Sequence, residues 1–320
     1  MEQQPVSSSA HDSLRSDLCV EQQPHQIFNP IDSEVSMHFF SFKGHKVRYL
    51  KKGTGAPLIL LHNAGNDHRI WDYQIEYFAK SYEVYAVDNL GYGISDKPEL
   101  DYTLRLYSQM VKALIEEVGL QNVIIIGQCI GAAMALNYTL RNPDKVKALI
   151  LFNTATIDGL KHGSLGFLYK LTRFKLIKRI AMPVVRRLII TRWKAIQDIN
   201  QQYGEIGESN SDFIEHLVKL YKHPKQLRIL ASLLFNFDSF ASMNTIKKPD
   251  NFPPVYLIWG ARNNILPLKT GVEFCGRLEP DHKEFVEDCG HLVMREKPEK
   301  INRLIDFFIE QWCAETIFTE

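Results

Sequence analysis

IIIGQCIGAAMAL, residues 124–136, reads as a buried strand that ends in a sharp turn and runs straight on into a helix. Ile124, Ile125 and Ile126 are apolar whichever way they face, which suits a parallel strand covered by helices on both sides. Gly127 and Gly131 stand two residues either side of Cys129, and the small residues Ala132, Ala133 and Ala135 follow. The result is G-x-C-x-G in the strand-turn-helix setting of a nucleophile elbow. In such a turn the central residue sits on a strained backbone, and glycines let strand and helix approach closely. A thiol held there is expected to point out of the sheet toward solvent, with the helix N-terminus behind it favouring the thiolate. The alternative reading of Cys129 is a small buried residue, the usual fate of a free cysteine.

Outward from the elbow the same kind of pattern recurs. PLILL from Pro57, EVYAVD from Glu83 and KALILF from Lys147 are further apolar runs at wide intervals. Residues 102–120 place Leu104, Tyr107, Val111 and Leu114 on one helical face, with Gly119 as a stop signal. Earlier, MHFFSF and HKVRYL flank Lys43 and Gly44, a spacing for two strands joined by a tight turn. This alternation predicts an α/β fold with a doubly wound, mostly parallel sheet. It stops after Phe152 and resumes at PVYLIW from Pro254. Residues 156–250 therefore read as an inserted helical cap between two core parts, residues 35–155 and 251–320. The second part adds KEFVE from Lys283 and an amphipathic helix opened by Pro298.

With 320 residues the chain can bury a full core, and a formal net charge of +1 gives no reason to expect nucleic acid as a partner. Cys19, Cys129, Cys275, Cys289 and Cys313 show no CxxC spacing, so free thiols in a reducing compartment are expected. Residues 1–34, rich in Gln, Ser, His and Pro, predict a disordered tail. That tail has no secretory signal, which makes the cytoplasm the expected location. No stretch reaches the roughly 18 apolar residues of a transmembrane segment. HExxH and GxGxxG patterns are missing from suitable contexts, and no metal, flavin or nicotinamide cofactor is expected.

Together these features resemble the α/β-hydrolase superfamily over nearly all of residues 37–312. Five landmarks stand in that family's order: His62-Asn63-Ala64-Gly65, the run from Asp88 to Asp96 (DNLGYGISD), the Cys129 elbow, Trp259-Gly260-Ala261-Arg262-Asn263, and Gly290-His291. The resemblance implies an enzyme in which Cys129 replaces the usual serine and His291 takes and returns its proton. It also implies an oxyanion hole made by the backbone amides of Ala64 and Ile130. His62 reads as a structural loop residue, and Asn63 as a stand-in for the glycine usual there, since Asn tolerates positive φ. Asn263 occupies the slot where the family usually orients its histidine with a carboxylate; Asn153 or Asp158 is the alternative position. Cys-His-Asn is the arrangement of papain-like proteases, because a thiol loses its proton more easily than a hydroxyl and an amide can still fix the imidazole tautomer.

The implied reaction is cleavage or transfer of an acyl group from an ester or thioester through an acyl-cysteine, as a hydrolase or an acyltransferase. The elbow is also similar to that of polyhydroxyalkanoate synthases. A second reading is a degenerate site on a fold turned to binding. LRILASLLFNFDSFASM, residues 227–243, predicts an apolar roof and hence a small apolar acyl or aromatic substrate. Residues 166–194 carry nine Lys and Arg and no Asp or Glu, interleaved with Phe167, Leu171, Phe174 and Ile177. They predict a solvated basic face over an apolar stripe, or alternatively a landing surface for an anionic carrier such as coenzyme A or an acyl carrier protein.

Overall fold

Lys43 and Gly44 both take positive φ, 52° and 78°, in the computed structural model, which describes residues 36–172, 199–205, 207 and 210–313. That tight reversal pairs β1 (Ser36–Phe42) antiparallel with β2 (His45–Lys52), Phe42 opposite His45. The tail expected over residues 1–34 and residues 173–194 of the basic stretch lie outside the described residues.

The remaining strands are β3 (Ala56–Leu61), β4 (Tyr82–Val87), β5 (Val123–Gln128), β6 (Val146–Phe152), β7 (Val255–Gly260) and β8 (His282–Val286). They form one eight-stranded sheet in the order β1-β2-β4-β3-β5-β6-β7-β8. From β4 through β8 every pairing is parallel, while β2 joins β4 antiparallel. The doubly wound, mostly parallel sheet expected from the sequence is thus present. Along β5 every residue is buried, because its two faces serve different cores. Val123 and Ile125 join Tyr107, Leu136 and Trp259, whereas Ile124 and Ile126 join Trp71, Phe152 and Phe308.

Helices cover both faces: α1 (Asp72–Phe78), α2 (Leu104–Val118), α3 (Ile130–Thr139), α4 (Ile157–His162), α5 (Gly166–Thr172), α6 (Ser211–Lys222), α7 (Pro224–Phe235), α8 (Leu268–Leu278), α9 (Val293–Glu296) and α10 (Pro298–Cys313). Local chemistry sets their ends. Thr103 caps α2 by accepting from Leu106 N, and Gly119 closes it at φ 75°. Asn210 caps α6 through Phe213 N, and Pro224, which has no N–H to leave unpaired, opens α7 directly after it. Between β6 and β7, α4 to α7 and a 3-10 turn (Phe237–Asn244) carry the chain. Leu233, Phe237, Phe240 and Met243 from this stretch bury in the same apolar cluster as Cys129 and Ile130. No helix among the described residues is long and apolar enough to cross a membrane.

Candidate active site

Cys129 joins β5 to α3 with φ 55° and ψ −110°, a backbone that costs an L-residue on the order of 1–3 kcal/mol. Its neighbours hold it there. Cys129 N donates to Phe152 O at 2.9 Å, and Cys129 O accepts from Ala133 N at 3.0 Å and Ala155 N at 3.1 Å. A Cβ at Gly131 would lie 2.1 Å from Leu61 O, and one at Gly127 would lie 2.6 Å from Ala132 N. Only glycine lets α3 cross the end of β3 so closely.

The amides of Ile130 and Ala64 both donate toward the Cys129 sulfur. They do not make it a thiolate. Cys129 is 8% exposed, and burial pushes its thiol up to about 12, because two amide dipoles return less than the lost hydration of a thiolate costs. The solvent-facing, ionised thiol expected from the sequence is therefore corrected to a buried, neutral one.

Ala64 lies in a loop whose left-handed residue is Gly65, at φ 87°. Asn63 does not take the positive φ expected of it. It serves through its side chain, accepting from Asn66 Nδ2 at 2.6 Å and donating to Gln202 Oε1 at 3.2 Å. His62 is fully engaged as a loop strut: Nδ1 lies 2.6 Å from Asn63 O, and Nε2 accepts from Asn89 N at 2.9 Å. The helical segment then clamps this loop from above. Gln226 Nε2 donates to Gly65 O at 2.7 Å, and a Cβ at Gly65 would lie 2.9 Å from Tyr221 Oη.

Gln202 ties that clamp to the histidine. Its Nε2 donates to Tyr221 Oη at 2.9 Å, its Oε1 also accepts from Asn66 Nδ2 at 3.3 Å, and its backbone oxygen accepts from His291 N at 2.6 Å. Neither Gln202 nor Gln226 carries a motif, and a glutamine in a helical stretch gives no signal of its partners.

His291 follows β8 and is buried. Its carbonyl accepts from Gln128 Nε2 at 2.6 Å and from Asn153 Nδ2 at 3.0 Å, so its backbone is stitched to the residue preceding Cys129. Its Nδ1 stands 3.0 Å from Asn263 Nδ2. Asn263 Oδ1 accepts from Ile265 N at 3.0 Å and Leu266 N at 2.9 Å, and Asn263 Nδ2 also donates to Asn153 Oδ1 at 2.9 Å. Asn153, at φ 44°, takes a further bond from Gly260 N at 3.0 Å. Asp158 is elsewhere, 3.3 Å from Arg277 in a half-buried ion pair. Burial pushes His291 down to about 3, leaving the imidazole neutral.

A second buried cluster lies beneath the loop. Asp67, His68 and Asp88 have ligand atoms within 4.8 Å of one another, but Arg48 Nη1 reaches 2.6 Å from His68 Nδ1 and 3.5 Å from Asp88 Oδ2. A guanidinium already balances these carboxylates, so the set reads as a structural ion network. It is tied to α6 through His216 Nε2, 2.7 Å from Asp67 Oδ2.

Comparison with known proteins agrees with this architecture. A family model described as the alpha/beta hydrolase fold matches residues 56–176. A haloalkane dehalogenase of Agrobacterium fabrum is 33% identical over 132 residues, 41% of this chain and 42% of that protein. A 2-hydroxy-6-oxo-6-(2'-aminophenyl)hexa-2,4-dienoic acid hydrolase of Metapseudomonas resinovorans is 26% identical over 284 residues, 86% of this chain and 91% of that protein. Among solved structures, a membrane phospholipase A superposes with a TM-score of 0.72 at 19% identity, covering 87% of this chain and 86% of that one.

Proposed function

We propose that this chain, which has the α/β-hydrolase fold, cleaves or transfers an acyl group from a small apolar ester or thioester through an acyl-cysteine at Cys129. The observation that carries this reading is the sulfur at a strained elbow with two backbone amides, Ile130 and Ala64, aimed at it. Two backbone amides directed at an elbow sulfur are the donors that an oxyanion developing beside it would need, which supports this reading.

The Cys129 sulfur forms a bond to the substrate carbonyl carbon while the carbonyl π pair moves onto oxygen and meets the two amides. His291 takes the thiol proton and returns it to the departing alkoxide or thiolate as the C–O or C–S bond breaks. Water or another nucleophile then releases the acyl group. Leu233, Phe237 and Phe240, clustered with Cys129, favour an apolar acyl chain. The relative named as a dienoic acid hydrolase favours hydrolysis.

A second reading, a ligand-binding module, is favoured by one observation: burial drives the thiol up to about 12 and the imidazole down to about 3, so both are neutral without a ligand. Incubation with short p-nitrophenyl esters and acyl-coenzyme A thioesters, read by intact mass, separates the two. Acyl transfer gives an adduct that Cys129→Ala abolishes. A broad panel giving no adduct and no turnover, with some ligand still raising the melting temperature, would establish the binding module instead.

A further inference from the structure

We propose that Asn153 and Asn263 act as a polarity relay that holds the proton of His291 on Nε2, so that the resting imidazole offers the site a donor where a general base would offer a lone pair.

The inference starts from backbone groups whose polarity is fixed. Ile265 N and Leu266 N can only donate, and both point at one atom of the Asn263 side chain, which must be its oxygen. The nitrogen is then the atom left to face His291 Nδ1 at 3.0 Å. A second pair of backbone groups enforces the same sense. Gly260 N donates to one end of Asn153 and His291 O accepts from the other, so Asn153 turns its oxygen toward Asn263, 2.9 Å from Nδ2. Reversing Asn263 would set its NH2 against two backbone N–H groups and its oxygen against that of Asn153. All four residues that could contradict this arrangement agree.

An Nδ1 that receives an N–H carries a lone pair, and the neutral imidazole must then carry its hydrogen on Nε2. A carboxylate at residue 263 would demand the opposite tautomer. On this proposal the amide fixes the imidazole tautomer, but the one with its hydrogen on Nε2, because the amide oxygen is already taken by Ile265 and Leu266. Asn153 and Asn263 touch no reacting atom and are positioning residues. Where acyl transfer is the reaction, the consequence is a throttle: His291 must exchange tautomers before it can accept the thiol proton, which slows both acylation and hydrolysis. That consequence rests on the acyl-transfer reading; the tautomer does not.

The test is the full chain labelled with 15N in its histidine rings, with His291 assigned by its loss in His291→Gln and its protonated nitrogen identified from two-bond 1H–15N correlations. The relay requires Nε2–H in the wild type and in Asn153→Asp, whose carboxylate still accepts from Gly260 N and Asn263. It requires Nδ1–H in Asn263→Asp. A wild-type spectrum with the proton on Nδ1 overturns the proposal even if the variants fail to fold, and so does a folded Asn263→Asp protein with an unchanged tautomer. Ester turnover at neutral pH in Asn263→Asp should rise at least about tenfold, since the wrong tautomer in a serine-protease triad costs about 10⁴ in kcat. Nε2–H in the wild type with no acyl adduct in either protein would uphold the relay while removing the acyl-transfer reading.

Discussion

Replacing Gln202 by Leu should loosen the candidate oxyanion loop and the fold together. The side chain is close in volume, so packing changes little, but Leu accepts nothing. Asn63 Nδ2, 3.2 Å from Gln202 Oε1, loses its acceptor in a buried site, and Asn66 Nδ2 keeps only Asn63 Oδ1 at 2.6 Å. Stranding a buried donor costs about 1–3 kcal/mol, which puts the variant about 1–3 kcal/mol below the parent. In urea unfolding followed by tryptophan fluorescence, with Trp71 and Trp259 buried as reporters, the midpoint should fall while the slope holds. Ala64 sits beside Asn63, so drift of its amide should also cut ester turnover between about tenfold and a hundredfold, as small misplacements of a donor do. A midpoint corresponding to a loss under about 0.5 kcal/mol would refute the assignment of Gln202 as the strut of this loop. Lost stability with unchanged turnover would refute its link to Ala64.

Gly131→Ala must push α3 off Leu61 O, 2.1 Å from the new methyl, and is expected to cost more than about 3 kcal/mol in urea unfolding, at the severe end for overpacking. Cys129 should resist alkylation: with its thiol near 12, fewer than about one molecule in 10⁴ carries a thiolate at pH 7.5, so peptide mapping after iodoacetamide should find it modified only when urea is present. Stability should decline in acid. Asp67 and Asp88 lose hydration by burial, yet His216 and His68 on Asp67, and His68 and Arg48 on Asp88, hold both carboxyls below their usual range. Their contribution is present above the unfolded value of about 4 and is lost as pH falls through the lower folded values. His68 loses hydration too but is raised on balance by Asp88, so its contribution is complete below about 6.5 and fades as pH rises through the folded value. The network's own contribution should therefore be greatest between about pH 4 and 6.5, read as the gap between wild-type and Asp88→Asn melting temperatures. Buried His291, pushed down to about 3, separately lowers the stability of both proteins as pH falls below about 6.5. Asp88→Asn, which strands buried Arg48, should lower stability by about 3–5 kcal/mol.

The elements and their order were legible in the chain because they follow from short-range pattern. The β-branched runs, the Lys43-Gly44 turn, the Gly119 stop and the glycines around Cys129 each state a local requirement that one conformation meets. His291 and Asn263 are singled out through the resemblance to the α/β-hydrolase superfamily, and the structure puts His291 Nδ1 3.0 Å from Asn263 Nδ2. Asn63 and Cys129 were misread for the same reason as each other. A residue's type limits its φ and its unperturbed pKa, but what surrounds it decides whether the φ is used and whether the charge survives.

By itself the sequence determined which residue types stand at the elbow, at the loop after β3 and at the ends of β7 and β8, and so the chemistry available there. Tertiary structure alone decided how those groups are poised. Gln202 meets Asn63 across 139 positions of chain, and Asn153 meets Asn263 across 110. Hydrogen-bond polarity and desolvation belong to pairs and surroundings, which residue order does not record until the sheet brings them together.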